Sequence, residues 1–173
     1  FNYKDMERRP YYMNFSKLFK LQENLDNRIL QQRGLDNKSL TSKKILALQV
    51  EIAELANETR CFKFWSDKGP SNKSIILEEY VDCLHFILTL GLEKQFNDIE
   101  VEIRDLQYDI TAQFLNLYVD INDFIVSSSR DHYLTLFEDF LSLGKSLRFS
   151  IDEIEEAYIE KNSINHKRQI EGY

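Results

Sequence analysis

The sequence predicts an all-α bundle of about six helices. Three observations carry this. Only 5 Gly and 2 Pro occur in 173 residues, so hairpin turn chemistry is almost absent. Apolar residues recur at the 3.6-residue period in one stretch after another. Helix-capping residues or glycines fall where several of those stretches begin or end.

The first helix runs from Phe15 to Ile29, with Phe15, Leu18, Phe19, Leu21, Leu25 and Ile29 in register and Gly34 as a stop soon after. Thr41 or Ser42 can cap the second, whose Ile45, Leu48, Ile52 and Leu55 keep the period to about Phe64. The segment WSDKGPSNKS then breaks the pattern. A third helix from about Ile75 to Glu93 is apolar on more than one face, which predicts a central, mostly buried element. Ile99 to Val126 reads as one long fourth helix with an interruption near Asp120. Tyr133 to Leu147 forms a fifth, and Ile151 to Asn162 a sixth that opens on Ser150 and Glu153 at capping-box spacing. Residues 13–173 are expected to form a single domain, with residues 1–12 an added extension before Met13.

The net charge of -7, from 29 acids against 22 Lys and Arg, argues against nucleic acid polymers and anionic membranes as partners. Cys61 and Cys83 are in neither paired nor C-x-x-C spacing, which suits a reducing cytoplasm. No apolar run reaches the roughly 18 to 20 residues of a membrane span.

The second helix carries Glu51, Glu54 and Glu58 near one face, and the third carries Glu78, Glu79 and Asp82 in the otherwise apolar ILEEYVDCLHF. Carboxylates on such apolar helices repel and are costly to bury without a counter-charge. Two facing helices, each donating an i, i+3 pair, can surround hard cations with oxygen. Mg²⁺ suits that donor set and commonly bridges to substrate phosphates. A solvated acidic face is the alternative, and on pattern alone the two stand about even. Near the C-terminus Lys161, Asn165 and Arg168 supply phosphate-compatible donors, against the plainer possibility of a frayed tail. Trp65 could stack on a base or fill the core, and Lys63 beside it could meet phosphate or pair with an acid. His85 reads as a helix-packing residue.

These motifs together resemble the dimeric all-α dUTP pyrophosphatases, within the wider all-α nucleoside triphosphate pyrophosphatase group that includes the MazG-like enzymes. The resemblance covers Met13 to Tyr173 and rests on LQENLD, the E-x-x-E at Glu51, FKFW, EYVD and the terminal KNSINHKRQIEGY. It implies hydrolysis of dUTP to dUMP and pyrophosphate. It also implies more than one Mg²⁺ held by Glu51, Glu54, Glu79 and Asp82, with Glu51 or Glu54 also positioning or deprotonating the attacking water. Lys161, Asn165 and Arg168 would grip the phosphates, and Gln22 and Trp65 would fall in the uracil and deoxyribose pocket. Asp26 stands where many relatives are expected to carry Asn, so it bears on the base contact. Glu58 and Glu78 have no assigned role and default to the surroundings of the metal site or the surface. The competing readings are a sister pyrophosphatase acting on dCTP or other nucleotides, and a non-catalytic dimerisation or regulatory module. A homodimer is expected, from the resemblance and from the apolar residues between Phe114 and Phe140.

Overall fold

The computed structural model describes residues 15–36 and 40–172. The extension expected over residues 1–12 and the terminal Tyr173 lie outside them. The described residues form six helices in order: α1 Phe15–Arg33, α2 Thr41–Thr59, α3 Lys73–Lys94, α4 Ile110–Val126, α5 Arg130–Ser146 and α6 Ile151–Glu171. The described residues contain no strand.

Helix α3 is the hub, packed against α1, α2, α5 and α6. Its buried Tyr80, Val81, Leu84, Ile87, Leu88 and Leu90 surround the helix, as expected of an element apolar on several faces. Against α5 it forms a reciprocal contact. Tyr80 of α3 lies over Gly144 of α5, and Tyr133 of α5 lies over Gly91 of α3. Each phenol donates to the backbone carbonyl one turn before the opposing glycine, Tyr80 to Phe140 O at 3.1 Å and Tyr133 to Ile87 O at 2.9 Å. The missing Cβ lets each ring reach a carbonyl that a larger residue would cover. Tyr80 also stacks on Phe140 with centroids 4.3 Å apart.

Two helix boundaries differ from expectation. Leu40, not Thr41 or Ser42, is the α2 N-cap, and the Thr41 hydroxyl instead donates to Glu93. At the other end α2 stops at Thr59 rather than near Phe64, because Arg60 takes the left-handed conformation (φ 57°) and returns its N–H to Ala56 O. That backbone conformation usually belongs to glycine, so the stop leaves no mark in the sequence.

The long fourth helix is shorter than expected and is not interrupted near Asp120. Residues 99–109 run non-helically, and α4 begins at Ile110 under an N-cap from Asp109, whose side chain accepts from Ala112 N at 2.8 Å. Ile99, Val101 and Ile103 alternate with Glu100, Glu102 and Arg104, a period of two that sends the apolar residues to the core. Side chains of α5 meet the backbone this segment leaves open, Glu138 accepting from Glu102 N at 2.9 Å and Ser142 from Arg104 N at 3.0 Å.

The capping box forms as expected at Ser150 and Glu153. Beyond Asn162, where it was expected to end, α6 continues to Glu171, so Lys161, Asn165 and Arg168 stand on a helix rather than a tail.

Candidate active site

Four helices aim polar residues into one cavity of about 360 Å³. Gln22 and Asp26 come from α1, one turn apart. Glu51 comes from α2; Asp82, His85 and Thr89 from α3; and Lys161, Asn165 and Arg168 from α6. The i, i+3, i+4 and i+7 spacings keep each set on one helix face.

At one end of this arrangement the carboxylates gather. Oxygens of Glu51, Glu79 and Asp82 lie within 4.8 Å of one another. Burial, with Asp82, Glu54 and Glu79 close by, pushes the Glu51 carboxyl up from its ordinary 4.5 to about 7. Burial also raises Glu79 and Asp82, each again with acidic neighbours. Three oxygen donors crowded until their charges become unfavourable fit a hard divalent cation. Glu54 is exposed and stands outside this close set, although its charge reaches both Glu51 and Glu79.

Lys161 faces the cluster from α6. Its Nζ donates to Asp82 Oδ2 at 2.7 Å and to Glu78 Oε1 at 2.9 Å. Burial alone would lower this ammonium, but the hydrogen bonds to Asp82 and Glu78 outweigh it and hold the group above its usual value. Glu78, unassigned from sequence, is therefore the exposed partner of Lys161. Glu58 accepts from the Ser71 hydroxyl, and its carbonyl accepts from Ser71 N at 3.0 Å, which ties the loop after α2 to the helix.

At the other end Gln22 sits in a closed network. Its Nε2 donates to Asp26 Oδ1 at 2.8 Å and to Thr89 Oγ1 at 3.0 Å. Its Oε1 accepts from Tyr158 OH at 2.7 Å and from His85 Nδ1 at 2.6 Å. The Thr89 hydroxyl donates to Asp26 Oδ2 at 2.7 Å. Both amide protons and both lone pairs of Gln22 are thus used inside the chain. Gln22 lines the cavity, as expected from sequence, and there it braces its neighbours.

His85 does pack, its ring stacked on Tyr158 at 4.4 Å, but its Nε2 is buried without a hydrogen-bond partner and the residue lines the cavity. Burial, then the charge of Lys161, lowers it to about 3. With Nδ1–H donated to Gln22, the neutral ring keeps Nε2 as an acceptor. Sequence alone offered little sign of this, beyond a His on the same helix face as Asp82 at i, i+3.

Two expected residues are elsewhere in the single chain. Trp65 and Lys63 lie on the loop after α2 and do not line the cavity. Trp65 is 65% exposed and touches Phe62 and Phe64, and Lys63 donates to Asn57. The helix expected to run to about Phe64 has already ended at Thr59.

A family model described as dUTPase matches residues 14–173. No curated protein matches the chain.

Proposed function

From the premise that this chain belongs to the dUTPase family, whose match spans residues 14–173, and is a dUTP diphosphatase, we propose how its own residues divide the work. The observation that carries the reading is the facing pair of stripes: the Glu51, Glu79 and Asp82 cluster on one side, Lys161, Asn165 and Arg168 on the other.

Glu51, Glu79 and Asp82 hold Mg²⁺, and Glu54 beside them extends the donor set to a second ion. Bound cations supply positive charge against the triphosphate and make a nearby water more acidic. Lys161 and Arg168 neutralise phosphate oxygens from the opposite side, Arg168 as a two-toothed fork, and Asn165 adds neutral donors. Glu54, exposed and outside the close set, keeps lone pairs available to take the proton of the water that attacks the α-phosphorus, while Glu51 orients that water. Water adds to phosphorus as the bond to the bridging oxygen breaks, and dUMP and pyrophosphate leave.

Uracil occupies the end built by Gln22, Asp26, Thr89 and His85. Neutral His85 presents Nε2 to a ring N–H, and Gln22 holds it in that tautomer. Pyrophosphate release from a panel of nucleotides, with Mg²⁺ and then with chelator, tests the assignment. Mg²⁺-dependent cleavage confined to dUTP, with or without dUDP, supports it. Preferential cleavage of dCTP would mean that Asp26 and His85 read a different base edge.

The raised Glu51 carboxyl has a consequence for stability. Its folded value, about 7, lies above the ordinary 4.5, so its contribution is fully present below about pH 4.5 and is lost as pH rises through about 7. A divalent cation takes the place of that proton. Mg²⁺ should therefore raise the melting temperature clearly at about pH 8 and little at about pH 5.5, in melts with and without chelator. Equal stabilisation at both would place the ion away from Glu51.

The working form is a homodimer joined through α2 and α4. Phe114, Phe124, Phe137 and Phe140, which lie within the span expected to be exposed, are core residues. Within the same span Leu115 and Val119 of α4 are open, and with Leu46 and Val50 of α2 they form an apolar face where the two helices are joined by Tyr118 OH donating to Gln49 O at 3.0 Å. A second copy of the same face would cover it. Val119→Asp should yield a folded monomer by sedimentation; a dimer unchanged in strength would move the interface elsewhere. No helix among the described residues is long and apolar enough to cross a membrane. With Cys61 and Cys83 both free thiols, we place the reaction in the cytoplasm.

A further inference from the structure

We propose that Lys161 is an internal cation that competes with the divalent ion for Asp82, and that Glu78 holds the displaced ammonium in place for the nucleotide. The inference rests on reading Glu51, Glu79 and Asp82 as cation ligands.

One ammonium bridges two acceptors with different surroundings. Asp82, whose side chain is 21% exposed, belongs to the close oxygen set; Glu78, at 60%, does not. The two carboxylates stand one turn apart on α3, so Nζ reaches both without any helix moving. Asp82 cannot give its full charge to a divalent ion while it also accepts from Lys161 at 2.7 Å. When the ion takes Asp82, the ammonium loses that bond and is repelled by the new charge. Glu78, at 2.9 Å and on the solvent side, is the partner it retains. The Lys161 side chain is only 11% exposed, and Asp82 and Lys161 line the same cavity, so the released ammonium stays beside the place the triphosphate takes.

This orders the binding events. In the metal-free chain the phosphate-binding ammonium is engaged with Asp82, and arrival of the ion frees it. Glu78 is then a positioning residue, acting on the nucleotide only through Lys161.

Mn²⁺ binding without nucleotide, followed by the spin resonance of the free ion, tests the idea in the full chain. Four forms are compared: the native chain, Lys161→Met, Glu78→Gln and the double variant. Lys161→Met should bind Mn²⁺ about tenfold tighter than the native chain, the size of an ordinary coupling between two ligands. Glu78→Gln should weaken Mn²⁺ binding several-fold, and that effect should vanish in the Lys161→Met background. It should also raise KM for dUTP while kcat changes little. If Lys161→Met does not fold, Lys161→Gln, which keeps a polar group of similar reach, replaces it.

Unchanged affinity in the Lys161 variant overturns the competition. A Glu78→Gln effect of equal size in both backgrounds means that Glu78 acts on the ion directly and overturns its positioning role. If the native chain binds no Mn²⁺, the cation site itself is wrong, an outcome distinct from the other two.

Discussion

Asp82→Asn is expected to abolish dUTP turnover, by about a thousandfold or more, while the helical circular dichroism stays that of the native chain. Asn has nearly the same volume, so no cavity opens on α3, and Asp82 is on the rim of the buried core rather than in it. The substitution takes one negative charge from a set whose members already repel. The chelated variant should therefore melt no lower than the native chain. Glu54→Gln should give the same loss for a different reason: an exposed amide disturbs nothing in the fold but cannot accept a proton. Near-normal turnover in either variant would overturn the assignment of these carboxylates.

Gly144→Ala should be strongly destabilising for so small a substitution, as should Gly91→Ala at the reciprocal contact. A methyl group at Gly144 would fall inside contact distance of the Tyr80 hydroxyl and ring carbons. Tyr80 is fully buried, stacked on Phe140 and tilted against Phe149, so its ring has nowhere to retreat. Overpacking of a rigid ring costs about 3 kcal/mol, and loss of the bond to Phe140 O adds about 1 kcal/mol more. For a chain of this length that corresponds to a fall of about 10 °C in Tm. Tyr80 follows Glu79 directly, so turnover should fall with stability. Combining Gly144→Ala with Tyr80→Phe should recover part of the loss, because the oxygen nearest the new methyl is gone. A melting temperature within a degree or two of native would show that α3 and α5 slide apart easily here.

Most of the helices were legible because burial imposes a period. The third helix, apolar on several faces, is the hub its composition announced. The Ser150 and Glu153 box marks the start of α6 unambiguously, since the two residues satisfy each other's backbone. What escaped had weaker local marks. The end of α2 depends on Arg60 in a conformation that its side chain does not advertise. In residues 99–104 the alternation of period two is short, and Ile99 and Ile103 also fit the helical spacing that continues through Leu106 and Ile110.

In the site, the carboxylate spacing could be read because helix geometry fixes which residues share a face. The roles of Gln22, Glu78 and His85 could not, because they depend on residues from other helices. Gln22 is saturated by partners 4 to 136 positions away, and Glu78 meets a lysine 83 positions later. No local pattern encodes such pairings.

Because α6 runs unbroken from its Ser150 cap through Lys161 to Arg168, the angular positions of Lys161, Asn165 and Arg168 are fixed relative to that cap. Each residue inserted between them would turn the whole set by about 100°, swinging all three away from the carboxylates at once, whereas about seven would nearly restore the facing. The length of this stretch should therefore change in descent only in whole-turn steps, and a single-codon insertion there should be far harsher than any single substitution on the helix's outer face.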